Sequence, residues 1–190
     1  MKRTEVIAQL GSELGPWFES AGFKRTHQAS PGMISWSRPH GDEYTTVWCQ
    51  ISQDKWDRYR GSKFVVDFQL APETEAGALG TARKRIARML DEEQRETVRQ
   101  IQNRVISSLS KPPKTHRNLN ISSEISEWYL AHFEPVAEPY PEHLDIWFRY
   151  AKPEHVSQWA QFVLQLLPEC VREIEMLSWR FRLESREYFF

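Results

Sequence analysis

Two runs of alternating residues carry the side chains most able to do chemistry in this chain. In Phe64-Val65-Val66-Asp67-Phe68-Gln69-Leu70, bulky apolar residues alternate with Val65, Asp67 and Gln69. In Leu144-Asp145-Ile146-Trp147-Phe148-Arg149-Tyr150, Asp145, Trp147 and Arg149 alternate with Leu144, Ile146, Phe148 and Tyr150. Successive side chains of a strand point to opposite faces, so each run sorts into an apolar face and a polar one. If the two strands neighbour each other, Asp67, Asp145 and Arg149 converge, and Gln50 can join them. Two carboxylates beside a guanidinium can hold a metal or move protons. Trp36, Trp48 and Trp147 beside the same groups make a binding face instead, since aromatic and Arg side chains are enriched at interaction hot spots. The alternation also suits the solvated face of a half-covered antiparallel sheet with cross-strand charge pairs. The expected binding set is Trp36, Trp48, Gln50, Asp67, Asp145, Trp147 and Arg149.

A second feature is electrostatic. Between Thr81 and Arg117 there are ten Lys or Arg residues against four carboxylates, +6, which leaves −7 for the rest of a chain of net charge −1. Arg83, Lys84, Arg85 and Arg88 open this stretch and are the expected contacts to a phosphate backbone, if nucleic acid is the partner. The outer face of an amphipathic helix is polar in any case, and Glu92 and Glu96 can pair with Arg95 and Arg99 along one.

Other chemistries find little support. No two of the six His residues stand three or four apart, and Cys49 and Cys170 are isolated from them, so no metal site is expected. His116, in the polar run Lys114-Thr115-His116-Arg117-Asn118, reads as a surface residue. There is no Gly-x-Ser-x-Gly elbow and no phosphate-binding glycine loop, and no cofactor is expected. The two cysteines, 121 positions apart, read as buried free thiols.

The elements that must position these residues follow from composition and periodicity. The chain has 190 residues, 40% hydrophobic and 27% charged, which suits one globular domain. A net charge of −1 excludes a uniformly basic nucleic-acid protein. No apolar h-region follows Met1 and no window reaches the length of a membrane span, so the cytoplasm is the expected location.

Val6, Ile7, Leu10, Leu14, Trp17 and Phe18 recur at helical spacing, with Gly11 and Gly15-Pro16 expected to kink or divide the helix. Strands are expected at 23–28, 33–37, 43–52 and 63–70, with turns at 30–32 and 39–42, as an antiparallel meander. Leu79 to Leu90 reads as a helix. Asp91 caps the next, whose stripe is Val98, Ile101, Val105 and Leu109. A short helix over 121–133 precedes a Pro-rich loop at 134–143 and the strand at 144–150. Pro153 opens a final helix that Pro168 is expected to kink or break.

The expected fold is α+β: an antiparallel sheet of about five strands with helices mainly on one face, in the order helix, four strands, helices, strand, helix. Residues 1–170 form the domain. Residues 171–190, ending in Tyr188-Phe189-Phe190, form a helical and aromatic tail docked on it, on a partner or on a second copy.

Several of these segments resemble the bacterial proteins grouped as domain of unknown function 4304. They are Gly22-Phe23-Lys24-Arg25, Ser35-Trp36-Ser37-Arg38, Val47-Trp48-Cys49-Gln50-Ile51-Ser52, Gly61-Ser62-Lys63-Phe64-Val65-Val66-Asp67-Phe68 and Leu144 to Tyr150. Asp67 stands where that family's pattern has Asn. The resemblance, over about residues 5–167, implies an α+β fold in a bacterial cytoplasmic protein and supplies no catalytic residues. The expected function is a non-enzymatic protein-binding module, of immunity or accessory type. The alternatives are nucleic-acid binding through 81–117 and an enzyme with an Asp67/Asp145/Arg149 site.

Overall fold

Gly41 and Asp42 make the two-residue reversal between strands β2 (Met33–His40) and β3 (Glu43–Ile51). Gly41 has a φ of +62°, a conformation that favours glycine. This hairpin sets His40 opposite Glu43 and so fixes the register of the sheet: Trp36 faces Val47, and Ser35 faces Trp48. Strands β1 (Lys24–Thr26) and β4 (Ser62–Ala71) flank the hairpin, both antiparallel. The far edge of β4 is shared by two short strands. β5 (Ala82–Arg85) pairs with Asp67–Leu70, and β6 (Phe148–Tyr150) pairs with Ser62–Phe64. The order is β1-β2-β3-β4-β5, with β6 also beside β4, six antiparallel strands among the described residues. The computed structural model describes residues 1–26, 32–54, 56, 60–110, 136–138, 140–142 and 145–187, with side chains to residue 177.

Helices α1 (Arg3–Ser20) and α3 (Pro153–Glu187) pack on one face of this sheet. Val6, Leu10, Leu14 and Phe18 of α1, with Trp159, Val163, Leu167 and Ile174 of α3, meet Ile34, Trp36, Val47, Val66, Phe68 and Phe148 in one core. Trp36 stacks on Phe18 at 4.3 Å between ring centroids, and Phe148 stacks on Trp159 at 4.5 Å. Gly11 lets α1 approach closely, for a Cβ there would lie 2.9 Å from Ile34 Cδ1. Helix α2 (Glu92–Ser108) starts at Asp91, whose carboxylate accepts from Gln94 N at 2.8 Å while Gln94 Oε1 accepts from Asp91 N at 3.0 Å.

Helix α2 also closes the sheet edge. Gln102 Nε2 donates to the Trp147 carbonyl at 2.7 Å, and Gln102 Oε1 accepts from Arg149 N at 3.1 Å. One side-chain amide thus supplies β6 with the pairing a further strand would give. Asn103 does the same for the backbone of Val136, at 2.9 and 2.7 Å.

Four expectations need correction. Leu79 to Leu90 is not helical: it holds β5 and a 3-10 turn, Ile86–Arg88. Its helix-forming residues are overridden by pairing with β4, which sets Arg85 opposite Asp67. Of the kink or break expected at Pro16 and at Pro168, the break does not occur: α1 and α3 run on through these residues. Both prolines are exposed, so water can satisfy the carbonyl each ring leaves unbonded. The strand expected at 144–150 shortens to Phe148–Tyr150. The expected helix at 121–133 lies outside the described residues. Helix α3 crosses residues 170–171 without interruption, and Val171 and Ile174 are core residues. No helix among the described residues is long and apolar enough to cross a membrane.

Candidate functional site: the polar face of the sheet

Register places the face away from α1 and α3 in ordered rows. One row runs across five strands as Thr26, Ser35, Trp48, Asp67 and Arg85. The next is Lys24, Ser37, Thr46, Gln69 and Arg83. A third holds Met33, Gln50 and Val65, and Arg149 of β6 faces Lys63 of β4. Directly opposed residues on one face interact across strands. Hydroxyls do so here: Thr26 and Ser35 lie 2.5 Å apart and Ser37 and Thr46 2.9 Å.

This face is not solvated along its middle. Trp48 is 1% exposed, Asp67 2%, and Gln69 and Thr46 0%. Gln69 holds the loop after β4 over the sheet, donating to the Glu75 carbonyl at 3.0 Å and accepting from Gly77 N at 2.8 Å. The reading of a half-covered solvated face is therefore corrected for these positions.

Asp67 is the electrostatic centre. Its Oδ1 accepts from Arg85 Nε at 3.4 Å and from Arg83 Nη2 at 3.5 Å, while its Oδ2 has no hydrogen-bond partner among the described residues. Burial pushes the Asp67 carboxyl up, and Arg85 and Arg83 pull it back. Trp48 Nε1, in the same row, is likewise buried with no partner among the described residues. Arg85 also bonds Asp145 through Nη1, so it bridges a buried carboxylate and an exposed one. Its guanidinium lies 5.6 Å from the Trp147 ring centroid, and Lys63 Nζ lies 5.3 Å from the same ring. Arg83 lies 5.0 Å from the Trp48 ring. The result is a surface of Arg83, Arg85, Lys63 and Trp147 over a buried anion. Asp54 pairs with Lys63 at 3.5 Å and lines an adjoining cleft of about 620 Å³ with Arg3, Ser52, Trp56 and Tyr150.

The expected set separates as follows. Trp48, Asp67, Asp145 and Trp147 come together, joined by Arg83 and Arg85. Gln50 lies on the same face, one row along from Trp48. Arg149 shares that face through Lys63, with Tyr140 close enough for its charge to oppose the burial that raises the Tyr140 hydroxyl. Trp36 is a correction: it points into the helix-covered core, 2% exposed. Arg83, Arg85 and Lys63 were not in the set. Their signal is the i, i+2 spacing of Arg83 and Arg85, which on a strand puts both guanidiniums on one face.

The other expected features are dispersed. Lys84, on the opposite face of β5 from Arg83 and Arg85, bonds Glu173 of α3 at 2.6 Å. Arg88 donates to the Glu142 carbonyl at 3.5 Å, and Arg99 holds Glu96 and the carbonyls of Val136 and Ala137. Burial, with the charge of Asp67 adding, pushes the Cys49 thiol up, and burial pushes that of Cys170 up to about 12. Neither is a thiolate nucleophile at neutral pH. No group of three metal-ligating side chains occurs among the described residues. His116, Lys114 and Arg117 lie outside the described residues, as do Tyr188, Phe189 and Phe190, and the side chains of 179–187 are likewise undescribed.

No family model, curated protein or solved structure matches this chain, so the site rests on its own geometry.

Proposed function

We propose that this protein is a non-enzymatic protein-binding module that uses the Trp147 face of its sheet. The observation that carries the reading is the Trp147 ring lying within 5.6 Å of two cations, one of them an arginine anchored from below by Asp67. An Arg and a Trp set in place by buried groups are preorganised, and preorganised Arg and Trp side chains dominate interface energetics. Each carboxylate expected to do acid–base work is engaged by Arg85, which suits a structural anchor better than a proton shuttle. The basic residues described over 81–104 are spread across both sheet faces and α2 and bond within the chain, which gives no continuous track for a phosphate backbone. A bacterial cytoplasmic setting, with an immunity or accessory role, belongs to this same reading.

The test is affinity capture from source lysate by the wild-type protein and by Trp147→Ala, with melting temperatures measured for both. The expected result is a stoichiometric protein partner whose affinity falls about tenfold or more in the variant, at nearly equal stability. A partner retained equally by both proteins overturns the assignment of this face.

A further inference from the structure

The Asp145–Arg85 contact has a chemical meaning of its own. Asp145 is 43% exposed and precedes β6 in irregular backbone, whereas Asp67 is 2% exposed in the middle of β4. Arg85 is thus held from inside by one carboxylate and covered from outside by another. The inner contact is loose. Both arginines lean on the single oxygen Oδ1 at 3.4 and 3.5 Å, longer than a charge-assisted pair, and Oδ2 has no partner among the described residues. Arg83 is 50% exposed and, among the described residues, makes that one long hydrogen bond, which leaves further guanidinium donors for a partner. Lys63, 39% exposed, and Arg85 lie against the Trp147 ring and Arg83 lies over the Trp48 ring, an arc of three cations along this face.

Resting on the binding-module reading above, we infer that this arc receives an acidic segment of a protein partner, one carboxylate of which displaces Asp145 from Arg85. Asp145 is then a resident stand-in for the partner's carboxylate. It neutralises the guanidinium in the free protein and competes with the incoming group. The complementary partner carries Asp or Glu side chains spaced to reach Arg85 and Arg83, with an apolar residue against the Trp147 ring. Asp67 stays beneath and keeps both guanidiniums in place.

The test uses fluorescein-labelled polyglutamate as the probe, read by anisotropy at low salt, with the whole protein and single variants. Asp145→Asn removes the competing charge and keeps the side-chain shape. It is expected to tighten the probe about two- to fivefold, the range of an exposed ion pair. Arg85→Ala is expected to weaken it about tenfold, the scale of a lost charge-assisted hydrogen bond. Arg104→Ala, on α2 and away from this face, should leave it unchanged. Wild-type melting behaviour in Asp145→Asn shows that the change is local. Unchanged or weaker binding by Asp145→Asn overturns the inference. So does a duplex DNA probe that gains as much as polyglutamate in that variant. Either outcome leaves the Trp147 dependence of partner capture standing as a separate result.

Discussion

Val66 and Asp67 are neighbours in β4 and are equally dry, at 1% and 2% exposure, yet they belong to two different interiors. Val66 lies among Phe64, Phe68, Val47 and the apolar stripes of α1 and α3. Burial there is stabilising in itself, at about 25 cal/mol per Å² of apolar surface. Asp67 lies in a row of Ser35, Trp48 and Arg85, where burial costs free energy unless each polar group finds a partner. On the first face, shape complementarity holds the fold. On the second, two arginines, a glutamine and a ladder of hydroxyls offset a desolvation cost, and two buried polar atoms have no partner among the described residues. Among the described residues that cost falls on the polar face, which is the physical ground for placing the proposed site there.

Substitutions sharpen the contrast in order of expected size. Phe148→Ala, which removes a ring stacked at 4.5 Å on Trp159, should cost about 3–5 kcal/mol in urea unfolding. A loss under about 1 kcal/mol would mean the helix-covered face is not the principal core. On the polar face, Gln69→Leu keeps much of the volume but strands the Glu75 carbonyl and the Gly77 amide. It should cost about 1–3 kcal/mol and speed amide exchange in the loop after β4 while leaving α1 and α3 protected.

Acid titration separates the faces further. The Asp67 carboxyl is raised above 3.8 by burial, so the folded protein takes up that proton before the unfolded chain does. Its contribution to stability therefore grows as pH falls through the interval above 3.8 and is lost as pH rises through the folded value. Asp67→Asn should accordingly fall further behind wild type near pH 4 than at pH 7. A gap between the two proteins that does not change with pH would place Asp67 in water. The smallest effect is chemical. Cys49 and Cys170, both buried with raised thiols, should resist a thiol reagent at pH 8 and react only on unfolding, as followed by absorbance.

Much of the architecture was legible because local chemistry and tertiary need agree. Asp91 is both a good cap and an actual one, and β4 sets Phe64, Phe68 and Leu70 on the face opposite Asp67 and Gln69. Legibility fails where pairing overrides propensity. Ala82 to Arg85 is built of helix formers, and pairing with β4 makes it a strand, which is why Arg83 and Arg85 read as a helical surface instead of a pair on one face. Trp36 was misplaced because its face was not read from the hairpin. The expected turn at 39–42 and the observed reversal at Gly41-Asp42 differ by two positions in register, which keeps Trp36 on the face of Val47 and hence in the core. Burial of the polar face was not legible, because alternation reports which residues share a face and not what covers it.

The central claim is that recognition lies on the Trp147 face, and the most direct measurement compares it with the other basic surface. Partner affinity should be measured for Arg83→Ala and Trp147→Ala beside Arg95→Ala and Arg104→Ala of α2, all at matched stability. The account predicts that the first pair loses about tenfold or more and that the second pair matches wild type. Loss confined to the α2 variants, with Arg83→Ala and Trp147→Ala binding as wild type, would contradict it.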